Sequence, residues 1–390
     1  MSGKHSMEKD ERKSTEKSRS YYQEPKKEKT KNKEKKQGKK KRKWLKVLGI
    51  ILLVIILILG ILIGAGYVYI TDKLGKMNTV ELDESQLGIT AEASTKLAKY
   101  RNVAIFGVDS RTDDYGQGNR SDCIIIASIN NESKEVRLVS VYRDTYVNIQ
   151  GHGLDKITHA YSYGEAPLAI NTLNTNLDLN ISEFVTVNFD SVSDAVDELG
   201  GVTINIENEE VKYINDYIDA TAQITHKTAN HITSAGKQTL DGVQAVAYSR
   251  IRYTAGGDYK RAERQRTVLF KVFESAKEMN TTAKIKMVSD LIGHVNTNYD
   301  TDEILSVFKN LADYTVEDST AYPQVFYGGK VDGAWVEVPT TLADMATGVH
   351  QFLDGDTGYA PSETVNEYSS ALSAKVSGPN NDLTNTDFGD

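Results

Sequence analysis

The chain of 390 residues has a single cysteine, Cys123, so no disulfide can form within it. Its folded part must be held by a hydrophobic core, and the chain is long enough to bury one. Several catalytic signatures are also missing. There is no Gly-x-Ser-x-Gly, no His-Glu-x-x-His and no Gly-Lys-Ser/Thr loop, which sets aside the common serine-hydrolase, zinc-protease and P-loop readings. Tyr142-Arg-Asp144 has the look of a kinase catalytic loop, but the motifs that accompany one are absent. No internal repeat is visible.

Basic residues are densest at the start. Residues 1–46 hold 19 Lys and Arg against 7 acidic residues with almost no aliphatic side chains, a composition that cannot fold and predicts a disordered tail. Residues 47–70 then run without a charge for 24 positions, about 36 Å as helix, enough to cross a bilayer once. The apolar run is too long for a typical cleaved signal peptide and reads as an uncleaved anchor. The basic flank keeps the tail in the cytoplasm and exports the chain beyond Ile70, with Trp44, Tyr67 and Tyr69 at interfacial positions. Gly60-x-x-x-Gly64 would permit close helix packing, but such glycines are frequent in single spans, and a monomer is expected. Beyond the span the chain is acidic, so nucleic acid is not an expected partner; the lysine-rich tail would at most touch anionic lipid or nucleic acid weakly.

After a stalk at 71–99, strands alternate with helices. Asn102 to Asp109, Cys123 to Ile129, Val136 to Val141, Phe184 to Phe189 and Val202 to Ile206 read as buried strands, and Trp335 to Pro339 as a short further one. Helical periods fall near 165–177, 191–199, 241–249, 258–277, 284–295, 302–314 and 342–353. The pattern predicts one α/β domain over 100–355, an α-β-α arrangement with helices on both faces of a central mixed sheet. From about 356 to 390 the chain turns polar and is expected to be a loose tail.

Polar signals sit where these strands end. The stretch from Tyr248 to Gln265 concentrates arginines: Arg250 and Arg252 point to one side of an extended chain, Gly256-Gly257 breaks the run, and Asp258, Arg261, Arg264 and Gln265 share one helical face. Converging guanidinium groups match phosphate oxygens bidentately and suit a pyrophosphate. The same spacing also fits a solvated, salt-bridged helix face. Asp109 and Asp122 flank a loop between adjacent strands and could hold one hard divalent cation, magnesium or manganese; equally, Asp109 caps a turn and Asp122 pairs with Arg120. Arg143 and Asp144 end the third strand. Cys123 starts an apolar strand and reads as a small buried side chain, and His152 and His159 read as structural.

Six blocks, in order, are similar to the LytR-CpsA-Psr family: 102–111, Arg120-Ser-Asp122, Tyr142 to Val147, Lys156 to Tyr161, Val196 to Val202 and the arginine block. The resemblance spans about 100–300, with Cys123 where Thr is common and Asn119 where Gly is common. It implies a membrane-anchored phosphotransferase that moves a glycan such as teichoic acid or capsule from a polyprenyl-pyrophosphate carrier to peptidoglycan. It implies magnesium at Asp109 and Asp122, and pyrophosphate among Arg111, Arg120, Arg143, Arg250, Arg252, Arg261 and Gln265, with Asp258 orienting the arginines.

The implied chemistry is attack by a muramic-acid hydroxyl on the glycan-side phosphorus, with polyprenyl phosphate leaving. Arginine and metal electrostatics can supply most of such a rate. Arg250, Arg252, Asp258 and Arg143 are the expected catalytic set, and either Asp122 or Asp258 would take the proton. A metal-dependent pyrophosphatase or phosphodiesterase, with water in place of the sugar hydroxyl, would use the same residues. A non-enzymatic surface regulator, the transcriptional attenuator of this family's older naming, is a third reading.

Overall fold

The structure, a computed structural model, describes residues 78–110, 114–378 and 381–385. The expected tail 1–46, the span 47–70 and Arg111 lie outside the described residues. Among the described residues no helix is long and apolar enough to cross a membrane.

The strands are β1 (Asn78–Thr79), β2 (Tyr100–Val108), β3 (Ser121–Asn130), β4 (Glu135–Val141), β5 (Tyr146–Ile149), β6 (Gly153–Lys156) and β7 (Glu183–Val187). They continue with β8 (Val202–Ile206), β9 (Gly236–Leu240), β10 (Asn296–Thr297), β11 (Thr315–Tyr322), β12 (Phe326–Val331), β13 (Ala334–Pro339) and β14 (Asp382–Asn385). The helices are α1 (Ala91–Lys96), α2 (Ile157–Leu177), α3 (Phe189–Glu198), α4 (Asn208–Thr225), α5 (Gly242–Arg250), α6 (Gly257–Glu278), α7 (Thr281–Leu291), α8 (Thr301–Lys309), α9 (Leu342–Leu353) and α10 (Glu363–Val376).

A seven-stranded mixed sheet runs β1-β10-β7-β2-β3-β4-β11. β2 is parallel to β7 and antiparallel to β3, which is antiparallel to β4. The start of β3 therefore lies at the same sheet edge as the ends of β2, β4 and β7, which gathers Asp109, Asp122, Arg143 and Asn188 along one rim.

Side-chain alternation along these strands sets the two layers. Ala104, Phe106 and Val108, with Ile124, Ile126, Val139 and Val141, face the larger core under α2, α9 and α10. Phe106 meets Tyr161 of α2 edge-on, with ring centroids 5.5 Å apart. The opposite parity, Val103, Ile125, Ala127, Val136 and Leu138, faces Leu269 of α6.

The expected α/β architecture with a central mixed sheet is what the fold shows, with several differences. Val202–Ile206 is a strand but pairs with β9 in a separate ribbon, where it buries Val202, Ile204 and Ile206 against α4 and α5. Trp335 to Pro339 lies in a second small sheet with β12 and β14. The sequence pattern did not single out α4, although Ile214, Ile218 and Ala222 recur at helical spacing and are buried. α2 begins eight residues before the expected helix and is kinked where Gly164 and Glu165 leave helical geometry. The expectation of a loose polar tail fails over Glu363–Val376: Ser362 caps α10, and Val365 and Leu372 enter the main core. Two buried apolar side chains on one face suffice to dock a helix whose other positions are polar.

Candidate functional site: an arginine cluster at the mouth of an apolar cavity

Three elements bring the cluster together. Arg143 leaves the end of β4, Arg252 follows α5, and α6 supplies Asp258 in its first turn and Arg261 one turn on. Gly256 and Gly257 take φ of 87° and 48°, left-handed values that suit glycine and let the chain enter α6 sharply. Asp258 sits at the positive end of the helix, where a carboxylate is favoured.

Two carboxylates brace three guanidinium groups. Asp258 Oδ2 lies 3.3 Å from Arg143 Nε, while its Oδ1 lies 3.3 Å from Arg252 Nε and 3.5 Å from Arg261 Nη1. Asp122 Oδ1 lies 2.8 Å from Arg143 Nη1, and its Oδ2 3.5 Å from Arg252 Nη2. Arg261 also donates from Nη2 to the Asp122 carbonyl at 3.2 Å. Its Nε is buried with no hydrogen-bond partner among the described residues, a donor left over for an anion. Burial acts to lower the Arg143 guanidinium, but Asp122, Asp144 and Asp258 hold it above its ordinary value. The cluster thus stays cationic and fixed before any ligand arrives.

Behind the cluster opens a cavity of about 920 Å³ between the sheet and α6. Val103, Ile105, Ile125, Ala127, Val136 and Leu138 line its floor, Val268, Leu269 and Val272 its roof, and Arg101 and Tyr299 its far end. Its lining follows β2 from Arg101 to Asp109, about 26 Å of strand. Cys123 is one of its walls, and burial pushes this thiol up to about 12, well away from reactive thiolates. The sequence carries no signal for this space, because the residues that line it are those of any core.

Arg250, the last residue of α5, is placed differently from the three braced arginines. It donates to Thr221 Oγ1 at 2.8 Å and lies 4.4 Å over the Phe189 ring. Burial pulls it below its usual value, opposed by Asp109. Arg250 and Arg252 do not share an extended strand, since a helix ends between them, yet both line the cavity. Arg120 and Gln265 line it too.

Arg264, expected on the same face of α6, points elsewhere. It makes a buried pair with Glu210 at 2.6 Å and donates to the Ile251 carbonyl and Thr254 Oγ1 at 3.2 and 2.7 Å. It pins the loop that carries Arg252. His159 pairs with Asp155 at 3.0 Å, and His152 stacks on Tyr163 at 4.1 Å, a group of its own beside the cluster.

Glu337 had no place among the residues expected from the sequence. It is 4% exposed, accepts a hydrogen bond from the Tyr259 hydroxyl at 3.2 Å, and its backbone donates to the Asp144 carbonyl at 2.9 Å. Burial, with Asp144 and Asp258 nearby, pushes its carboxyl up to about 8. Lys156 closes the rear of the cluster, 2.9 Å from Asp144.

The family model described as LytR_cpsA_psr matches residues 66–347. The chain belongs to the LytR-CpsA-Psr family. Among curated relatives, the polyisoprenyl-teichoic acid–peptidoglycan teichoic acid transferase TagU of Enterococcus faecalis is 33% identical over 213 residues, 54% of this chain and 64% of that protein. The TagU of Oceanobacillus iheyensis is 32% identical over 242 residues, 60% of this chain and 69% of that protein. The match thus spans slightly under two thirds of the Enterococcus protein. A solved structure described as TagT bound to LIIa-WTA aligns with a TM-score of 0.54 and 26% identity, covering 72% of this chain and 94% of that one.

For a metal, Asp109 and Asp122 stand at the facing ends of β2 and β3, where Asp109 N–H donates to the Arg120 carbonyl at 3.4 Å. Among the described residues no third carboxylate, histidine or cysteine joins them. Magnesium is usually bound by one or two carboxylates plus substrate phosphate and water, the donor class that Asp109 and Asp122 offer, although both oxygens of Asp122 already face Arg143 and Arg252.

Proposed function

We propose that this chain is a membrane-anchored phosphotransferase that moves a glycopolymer from a polyprenyl-pyrophosphate carrier to peptidoglycan, leaving a phosphodiester on a muramic-acid hydroxyl. The observation that carries this reading is the junction of a fixed tri-arginine cluster with a long apolar cavity. A ligand that fills both must have a multiply charged head and a long hydrocarbon tail, and prenyl pyrophosphate is such a molecule. The relatives named as teichoic acid transferases, and the TagT structure described as bound to LIIa-WTA, support the same substrate class. The apolar run 47–70 would hold the domain beside the membrane that carries the lipid.

In this reading the tail lies along β2 and β3 and the two phosphates sit at the rim. Arg143, Arg252 and Arg261 bind oxygens of the phosphoryl group under attack, with Arg120, Arg250 and Gln265 at its edges and Arg111 expected beside them. As the acceptor hydroxyl attacks the glycan-side phosphorus, negative charge spreads over those oxygens, and guanidinium groups already held by Asp122 and Asp258 stabilise it without reorganising. Either Asp122 or Asp258, the carboxylates among these arginines, would receive the hydroxyl proton. Magnesium held by Asp109 and Asp122 would neutralise charge on the leaving phosphate.

Mass spectrometry of lipids that co-purify with the detergent-solubilised full chain tests this reading. Polyprenyl phosphate or pyrophosphate on the native protein, lost from an Arg250→Ala/Arg252→Ala variant, is the expected result. A native protein that takes up no prenyl pyrophosphate, even when the lipid is added, would overturn it.

A further inference from the structure

The most exposed large apolar side chain among the described residues is Tyr253, at 73%. It directly follows Arg252 and lines the cavity beside Arg250 and Tyr217, with most of its surface in water. No core cluster contains it, whereas Tyr213 and Tyr217 of α4 pack against the second core. Their rings flank Tyr253 with centroids 6.1 and 6.3 Å away, tilted by 46° and 36°.

The loop beneath this ring is tied by four hydrogen bonds. Arg264 bonds the Ile251 carbonyl and Thr254 Oγ1, Ala255 N–H donates to Glu209 at 3.1 Å, and Arg252 N–H donates to the Tyr217 hydroxyl at 3.3 Å. A loop this well tied could turn its aromatic residue inward; instead the ring is held in water beside the arginine cluster. A rigid aromatic face with a polar hydroxyl at its tip binds ligands that are themselves apolar on one face and hydroxylated at the rim.

We propose that Tyr253, flanked by Tyr213 and Tyr217, is a stacking platform for the pyranose ring attached to the pyrophosphate of the donor. This rests on the phosphotransferase reading and extends it to the sugar end of the substrate. The prenyl tail is satisfied by the dry cavity and the phosphates by the arginines, so the group that remains at the wet rim is the first sugar. Its C–H face suits the tyrosine ring, and its hydroxyls stay in water.

The test compares two probes on the full-length protein in detergent: polyprenyl pyrophosphate, and the same lipid carrying one N-acetylhexosamine. Tyr253→Ala is expected to weaken the sugar-bearing lipid roughly tenfold, the size of one aromatic contact, and to leave the bare pyrophosphate unchanged. Tyr253→Phe, which keeps the ring, should restore binding. Equal loss for both lipids, no loss for either, or loss only for a soluble peptidoglycan disaccharide overturns the platform. Weakened attachment to anionic vesicles without any change in sugar preference also overturns it, in favour of a membrane contact. If the native protein binds neither lipid, the phosphotransferase reading fails instead, so the two failures are distinguishable.

Discussion

The Tyr259 hydroxyl donates to Glu337 across 3.2 Å, and this bond ties the first turn of α6, which carries Asp258, to β13. Glu337 is a buried carboxyl that burial, Asp144 and Asp258 push up to about 8 from an ordinary 4.5. The folded protein keeps a proton that the unfolded chain releases near 4.5, so the contribution to stability is full below that value and is lost as the pH climbs to about 8. Thermal melts at pH 5 and pH 8 should show a smaller drop for Glu337→Gln than for the native protein. Equal drops would mean that Glu337 is ionised in the fold.

Arg264 and Glu210 separate structure from chemistry within one helix. Both side chains are 5% exposed or less, and Arg264→Ala leaves Glu210 buried and uncompensated. Removing one partner of such a pair costs about 3–5 kcal/mol. Denaturant unfolding of Arg264→Ala should show a loss of that order, whereas Arg252→Ala, partly exposed at the cavity mouth, should unfold close to the native protein.

The cavity predicts a steric block. Ala127 lies midway along β3, is 7% exposed and faces the cavity floor. Ala127→Phe would extend a ring into the space the tail occupies in the proposed function. Affinity for a long-tailed prenyl pyrophosphate should fall by at least about tenfold, while a short-tailed analogue that reaches only the arginines should bind as before.

Much of the rim was readable in the sequence because its residues are charged and lie next to strand ends. Asp109, Asp122 and Arg143 stand at strand ends as the pattern of polar termini led one to expect, and Arg252, Asp258 and Arg261 join Asp122 and Arg143 as the family resemblance implied. Arg264 was not distinguishable from Arg261 by helical spacing: both are buried, and only the position of Glu210 draws Arg264 away from the cluster that Arg261 joins. Glu337 comes from a strand far beyond α6 in the chain, and no local pattern joins it to Tyr259. The cavity left no trace, since Val103 and Ile125 have the same hydropathy whether they face a void or another side chain. α10 was hidden by its three serines and its charged residues, although its Ser362 cap and the seven-residue spacing of Val365 and Leu372 were available signals.

The central claim is that the arginine cluster performs transfer to peptidoglycan. It is tested most directly by incubating the full-length protein with a glycosylated polyprenyl pyrophosphate, peptidoglycan and magnesium, and identifying the glycan's new linkage. The account predicts a phosphodiester to a muramic-acid hydroxyl, formed at a rate that Arg143→Ala or Arg252→Ala lowers about 100- to 1,000-fold. Release of free glycan phosphate with peptidoglycan present and unmodified, or transfer unaffected by either substitution, would contradict it.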